Sequence, residues 1–545
     1  MDHLSGLDAA FLYLETPETP MHVGGLNIYE LPAGYEGDFL EDLRHHIAQR
    51  MHLSPVFRRK LVNMPFELAN PIWVLDEDLD LEYHIRSTVL PKPGTRAQLD
   101  KLVGRLHSSL LDRSRPLWEF YVKEGVETPA DAPAGTRRVA FYSKVHHAAL
   151  DGAAGVALAT AIMDVSAVPR HVRPAPRRPA AGPDNVGIAE MAVAGIKNTA
   201  VQTVKLARSL PTLLRTGWRW LRPPQGDGQE NPSTTEKSAW FAPKTPINVN
   251  VTNQRVFSSF SVPLAELKYI AKGNGVTLND VVMGICSGAL RHYLADLNCR
   301  PEQPLLAGVP VSLREEGNTD MNTQASMMRI SLASHIKDPI ERLQAIRKAS
   351  AAAKALTASM KSAMPTDFPS LGAPWLLSGI ASLFGRSKLA NSLPPVANVA
   401  ISNVPGPTMA LYMAGAKMLT YYPVSIVMHS MGLNVTVQSY NGSLDFGLIA
   451  CRKAMPDLPE LAKYMMAAHQ ELLKLTPAPA PAAVVAAVAD SAKAAAKAPV
   501  KTARKKGAPP SKAVTPAKAA GPRKTTAKIA SPAPLKRAGK ARKAA

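Results

Sequence analysis

The sequence predicts an α/β protein whose two halves both mix strands with helices, followed by a basic low-complexity tail. Three observations carry that reading. An alternating apolar stretch, Val139 to Val145, runs into His146-His147-Ala148-Ala149-Leu150-Asp151-Gly152 and then into the small-residue run Ala153 to Ala159. Period-two alternation marks a strand, the glycine a turn, and the alanine-rich run a buried helix. A proline-rich break at 168–179 separates this half from a second mixture of strand and helix patterns. Last, residues 491–545 hold 16 Lys and Arg and no acidic residue.

Taken in order, residues 1–165 form the first half and end in the helix after the histidine motif. Residues 166–245 are a crossover that opens with Val168-Pro169-Arg170-His171-Val172-Arg173-Pro174, too rich in proline for a helix or a central strand. Within it, Ile188 to Leu221 spaces Val193, Ile196, Ala200, Val204 and Ala207 at threes and fours, flanked by Lys197, Lys205 and Arg208 and closed by Trp218 and Trp220. A basic amphipathic helix of this kind suits an anionic membrane surface or an interdomain face. Residues 246–474 form the second half, where Thr277 caps a helix running through Val281, Ile285, Leu290 and Tyr293. Gly432 to Tyr440 alternates as a strand, Asn441-Gly442 is a hairpin turn, and Ser443 to Gly447 returns. Residues 475–545 are a Lys/Ala/Pro-rich tail that cannot bury enough apolar surface to offset its chain entropy, so disorder is expected.

Composition sets the outer limits. The chain has 545 residues, 46% of them hydrophobic, enough for about two to four domains. Of the net charge of +21, the 16 basic residues of the tail account for most, leaving +5 on residues 1–490. The nearest candidate for a membrane span, Pro369 to Gly385, contains Pro374 and falls short of the about 20 residues a bilayer needs, so a buried or interfacial segment is expected there. No signal peptide is expected, because Met1-Asp2-His3 has neither a basic start nor an apolar core. Cys286, Cys299 and Cys451 lack any CxxC spacing, which points to reduced structural thiols in a cytosolic protein and to neither a metal nor a redox site.

The chemistry concentrates at the paired histidines. An imidazole titrates near neutrality and can take a proton from a hydroxyl and hand it on. Side chains alternate along a strand, so His146 and His147 point opposite ways if both lie on it, with His147 sharing a face with Val145, Ser143 and Phe141. His147 is the expected base, His146 a packed or hydrogen-bonded neighbour, and Asp151 and Gly152 follow on the turn. His45-His46 are also adjacent, but no Asp-Gly follows and their pattern is helical, so a structural role is expected for them.

HHAALDG resembles the HHxxxDG motif of the CoA-dependent acyltransferase superfamily, and the wider chain resembles one of its branches, the bacterial bifunctional wax ester synthase/acyl-CoA:diacylglycerol acyltransferase family. The matching segments lie between the N-terminus and about residue 473. They include LSGLDAAFLYLETPETPMHVGGL at 4–26, RSRPLWEFYV at 113–122 with its PLW element, and TLNDVVMGICSGALRHYL at 277–294 with its Asn-Asp element. AGVPVSLR at 307–314, ISNVPGP at 401–407 and GLNVTVQSYNGSLDFGL at 432–448 complete the set.

The resemblance implies two similar chloramphenicol-acetyltransferase-like halves with mixed sheets and a tunnel at their interface, the catalytic histidine at its middle. It implies transfer of a long-chain acyl group from acyl-CoA, a co-substrate rather than a cofactor, to diacylglycerol or to a long-chain alcohol, with no resident cofactor and no metal. His147 would deprotonate the acceptor hydroxyl and then protonate the CoA thiolate. Asn279 and Asp280 would border the site, and Asp151 would lock the loop through a salt bridge, with Arg314 as its candidate partner. Asn279 and the Thr436 to Ser439 strand are candidate oxyanion donors. The expected location is the cytoplasm, peripherally on the inner face of the membrane or on lipid inclusions, with polyanion binding open to the tail. Two other classes fit parts of the pattern: a condensation-type enzyme using a carrier-bound acyl donor, and a non-enzymatic lipid-granule or polyanion-binding protein.

Overall fold

The Asn-Gly hairpin and the strand that ends at the paired histidines, both legible as sequence, give one landmark in each of two large sheets. The computed structural model describes residues 2–4, 6–63, 70–130, 132–150, 152–174, 241–312, 325–361 and 394–477. All of them lie in one compact unit, Met1–Ala478. The expected helix at 188–221, the apolar segment 369–385 and the tail from 478 onward lie outside the described residues.

The first half runs β1 (Asp2–His3), α1 (Gly6–Leu14), β2 (His22–Glu30), α2 (Phe39–Ala48), β3 (Arg59–Val62), β4 (Ile72–Leu75), α3 (Leu81–His84) and β5 (Ile85–Val89). It continues with α4 (Arg96–His107), β6 (Trp118–Glu124), β7 (Arg138–His146), a 3-10 turn (His147–Ala149) and α5 (Gly152–Ile162). The second half runs β8 (Arg255–Pro263), α6 (Leu264–Gly273), α7 (Leu278–Asp296), β9 (Leu306–Ser312), β10 (Ala325–Ser331) and α8 (Pro339–Lys361). After it come β11 (Val399–Val404), β12 (Tyr412–Met413), β13 (Ala416–Val424), β14 (Leu433–Tyr440), β15 (Ser443–Cys451) and α9 (Leu458–Leu475).

Two six-stranded mixed sheets result, ordered β12-β13-β2-β7-β6-β5 and β10-β9-β11-β14-β15-β8. In the first, only β5 and β6 run parallel; in the second, β11 runs parallel to both β9 and β14. The hairpin between β14 and β15 turns at Asn441 and Gly442, both at positive φ, as an Asn-Gly turn demands. Thr277 caps α7 as the spacing predicts, and Asp280 reciprocates by accepting from the Thr277 N–H.

The halves of the chain are not the halves of the sheets. β13, from the second half, pairs with β2 of the first, Tyr422 opposite Leu26 and Val424 opposite Gly24. It passes β15 so closely that a Cβ on Gly447 would lie 1.7 Å from the Pro423 carbonyl oxygen, so only glycine fits there. Leu26, Ala140 and Tyr142 on one face of the first sheet share an apolar core with Val281, Leu448 and Leu461 of the second half. The opposite face, with Tyr29, Trp118 and Phe141, packs on Phe39, Leu43 and Ile47 of α2.

Candidate active site

β7 carries the two histidines to the seam between the halves and stops between them. His146 is the last strand residue, paired across the ladder with His22, and its N–H donates to the Leu117 carbonyl at 2.9 Å. That carbonyl belongs to the PLW element, whose Trp118 opens β6 and anchors its indole N–H on Phe57 O at 3.2 Å. His147 begins the 3-10 turn and donates its N–H to Met21 O at 2.8 Å. The strand-face expectation for His147 is therefore corrected: the chain has left the pleat, and the ring turns toward α1 instead of joining Val145 and Phe141.

His146 is fully buried and has partners for both nitrogens. The Ala148 N–H donates to its Nδ1 at 3.0 Å, which places the ring proton on Nε2. Nε2 faces Glu15 Oε1 at 3.3 Å, off the ideal hydrogen-bond direction. The same Glu15 oxygen accepts the Met21 N–H at 2.9 Å, and Oε2 accepts from Arg113 Nη2 at 2.8 Å. Burial pushes the Glu15 carboxyl up, but His146, Arg113 and the Met21 amide together outweigh it and hold the group at about 2. One carboxylate thus fixes His146 directly and His147 at one remove, through Met21.

His147 is placed differently. Its ring stacks on Phe11 of α1, centroids 3.9 Å apart and planes within 15°. Nδ1 is buried without a hydrogen-bond partner of good geometry. Burial pushes the imidazole down to about 4, opposed by its own main-chain carbonyl. Nε2 is not enclosed in this way and has no hydrogen-bond partner among the described residues, so it is the nitrogen that can offer a lone pair. The residue stays partly exposed. A neutral imidazole with an open Nε2 can accept a proton from a hydroxyl.

Behind the pair lies a buried polar layer that ties the halves together. His22 Nε2 donates to the His107 carbonyl at 2.8 Å, and His107 Nε2 donates to Ser425 O of the second half at 3.0 Å. The Tyr142 hydroxyl meets His107 Nδ1 at 2.7 Å, and Lys144 pairs with Glu119 at 3.1 Å, both side chains buried. Burial, then the charges of Arg255 and Lys144, push His107 down to about 3, so it packs as a neutral ring. Arg255 donates from its main chain to Ser108 Oγ at 3.1 Å and from Nη2 to Glu18 O at 2.6 Å. The second half therefore holds both segments that flank Glu15 and His107.

The remaining expected residues do not all converge here. Asp151 and Arg314 lie outside the described residues, and Gly152 opens α5. Asp280 Oδ2 accepts the Thr277 N–H and hydroxyl at 2.9 and 2.7 Å, closing the cap of α7, while its Oδ1 is buried without a hydrogen-bond partner among the described residues. Thr436 donates to Asn434 Oδ1 at 2.8 Å, and Ser439 Oγ accepts the Gly406 N–H at 3.0 Å, so both hydroxyls are engaged within the second half. His46 is buried with Nε2 on the Ile162 carbonyl at 2.7 Å, the structural role its helical context predicts. All three cysteines are free thiols, and burial pushes Cys286 up to about 12. Glu15 and Phe11 were not singled out by sequence. Both lie in the matching 4–26 segment, but nothing local marks an acid or a ring that acts more than a hundred residues away.

A neutral histidine on a turn at the seam of two mixed sheets, in an HHxxxDG context, has the make-up of a CoA-dependent acyltransferase. The wax ester synthase/diacylglycerol acyltransferase catalytic domain matches residues 4–282, and the WS/DGAT C-terminal domain matches residues 322–473. The solved wax ester synthase/diacylglycerol acyltransferase from Marinobacter aquaeolei is similar at 31% identity and a TM-score of 0.62, covering 87% of this chain and 98% of that one. O-acyltransferase WSD from Acinetobacter baylyi is 33% identical over 476 residues, 85% of this chain and 95% of the relative. A Mycobacterium tuberculosis chain named "Probable diacyglycerol O-acyltransferase" is 34% identical over 483 residues, 87% of this chain and 99% of its own. The chain belongs to the wax ester synthase/diacylglycerol acyltransferase family. Among the described residues, no helix is long and apolar enough to cross a membrane.

Proposed function

We propose that the protein moves a long-chain acyl group from acyl-CoA to the free hydroxyl of diacylglycerol, forming triacylglycerol, and accepts long-chain alcohols as a second substrate. The observation that carries the reading is the neutral, partly open His147 with its Nε2 lone pair unengaged among the described residues. The thioester is already activated, so no enzyme nucleophile is required. Nε2 takes the hydroxyl proton as the oxygen attacks the thioester carbonyl. The tetrahedral intermediate then expels the thiolate, which takes the same proton back from Nε2 as CoA-SH. A positioned base of this kind contributes about 10²–10⁴-fold, and alignment of both substrates at one seam contributes further.

The test is thiol release from palmitoyl-CoA by the purified protein, with dipalmitoylglycerol or hexadecanol as acceptor and His147→Ala in parallel. Release that depends on acceptor and on His147 supports the reading; release indifferent to His147 removes the base assignment. The basic tail supports a peripheral seat on an anionic membrane or a lipid inclusion, each Lys or Arg near such a surface adding about 1 kcal/mol. Flotation with anionic vesicles tests this. The full chain should float and a chain ending at residue 477 should not, with turnover in detergent retained by both.

A further inference from the structure

We propose that Phe11 is the positioning residue of the His147 imidazole: its ring fixes the plane of the base and so aims the Nε2 lone pair, which lies in that plane, at the acceptor hydroxyl. The inference rests on the acyltransferase reading above and names the group that aims its base. The main chain of His147 is fixed by Met21, yet no hydrogen bond from another described residue orients its ring. The contact that sets the ring plane is the stack on Phe11, at 3.9 Å and 15°. α1 is held rigidly enough to aim it, because Ala9 and Leu12 are buried in one cluster with Leu117 and with Ala148 of the His147 turn. Phe11 itself stays partly exposed while those neighbours are buried, so its ring serves the imidazole more than the core.

The stack has a chemical consequence. An aromatic face attracts an imidazolium, which would raise the basicity of His147, but the net displacement is downward. Exclusion of water by the covering side chains outweighs the attraction, and Phe11 is the side chain laid flat on the ring. Among the described residues, His146 precedes His147 on the chain and acts on its ring, Glu15 and Arg113 lie behind His146, and the helix that carries Phe11 also carries Asp8 and Tyr13. Tyr13 donates to Asn70 Oδ1. None of these is removed by changing Phe11.

The experiment compares Phe11→Ala, Phe11→Leu and Phe11→Tyr by kinetics and by carbethoxylation of His147, read by peptide mass against pH. Only the neutral imidazole reacts, so the profile reports its protonation without requiring turnover. In the wild type the rate at His147 should be flat from about pH 5.5 to 7.5. In Phe11→Ala its midpoint should climb toward about 6.5. kcat should fall about 2- to 12-fold at nearly constant KM. Phe11→Tyr should restore both. Phe11→Leu covers the possibility that the alanine variant does not fold; it should keep the low midpoint, having apolar bulk, and lose kcat, having no flat face. A folded Phe11→Ala with wild-type profile and kcat, or a Phe11→Leu with wild-type kcat, overturns the assignment. A wild-type chain without turnover sinks the acyltransferase reading alone, and the modification profile still decides the role of Phe11.

Discussion

Glu15→Gln is the sharpest perturbation of this site, because it removes one charge and almost no volume. The native carboxylate accepts from Met21 and Arg113 and faces His146 Nε2. Glutamine can keep one acceptor oxygen, but its amide N–H groups must then point at Arg113 or at His146, donor against donor. The shift of Glu15 from 4.5 to about 2 measures how strongly this pocket prefers the anion. At about 1.4 kcal/mol per unit, that preference is worth about 3 kcal/mol. Arg113 is 44% exposed at its side chain and can turn to solvent, so we expect about 2 kcal/mol of lost stability in urea unfolding, not the full amount. The sign follows from the depressed carboxyl: its contribution is complete above about 4.5 and disappears as pH falls toward about 2. The variant and the wild type should therefore differ at neutral pH and converge in acid. Because Met21 connects Glu15 to the His147 N–H, kcat should fall as well, and a misplacement near 1 Å can cost about 10²-fold. Wild-type kcat together with a stability change below about 0.5 kcal/mol would refute the clamp.

The other predictions follow from the same geometry. kcat/KM should stay flat down to about pH 5.5, because the base titrates at about 4 and not near 6.5; an acid limb centred near 6.5 would mean that His147 is hydrated in the free enzyme. His147 and His107 both sit below their ordinary value when folded, so stability should be complete above about 6.5 and fall as pH drops toward 4, which urea midpoints across that range would show. Gly447→Ala should cost about 1–3 kcal/mol or more by driving a methyl into the Pro423 carbonyl, read as a lower urea midpoint; an unchanged midpoint would deny the close passage of β13.

How much of this was legible in the sequence depended on distance along the chain. The Asn441-Gly442 hairpin, the Thr277 cap and the strand ending at the histidines are local, and each has a signature within about six residues. The hairpin, the cap and two mixed α/β halves are all present in the structure. The exchange of β13 into the first sheet was not legible, because strand pairing between residues 24 and 424 leaves no local pattern. The same reason hid Glu15: an acid that meets a histidine 131 positions later looks like any other glutamate in a loop. Period-two alternation also could not reveal that the pleat ends one residue early, which is a property of the Met21 and Leu117 carbonyls that meet the chain there.

That single-residue break explains how two adjacent histidines come to have different chemistry. Had β7 continued, His147 would have pointed into the apolar face occupied by Val145 and Phe141, with no route to a substrate. Ending the strand at His146 leaves that ring on the seam-facing side, where Ala148 and Glu15 engage both nitrogens. The following turn then lifts His147 against α1, where burial keeps it neutral and its outer nitrogen stays open. The paired histidines thus separate two demands that one residue meets poorly. A ring held between the Ala148 N–H and the Glu15 carboxylate gives a fixed main chain, and a ring without such partners gives a usable lone pair. Swapping the first demand away, by His146→Ala, should therefore loosen the turn and lower kcat, while the acid limb of kcat/KM moves only slightly upward, because burial outweighs His146 in holding His147 down. Loss of His147 should remove the general-base contribution of about 10²–10⁴-fold and leave the urea midpoint nearly where it was. Equal kinetic losses and equal stability losses in the two variants would show that the rings do not divide the work in this way.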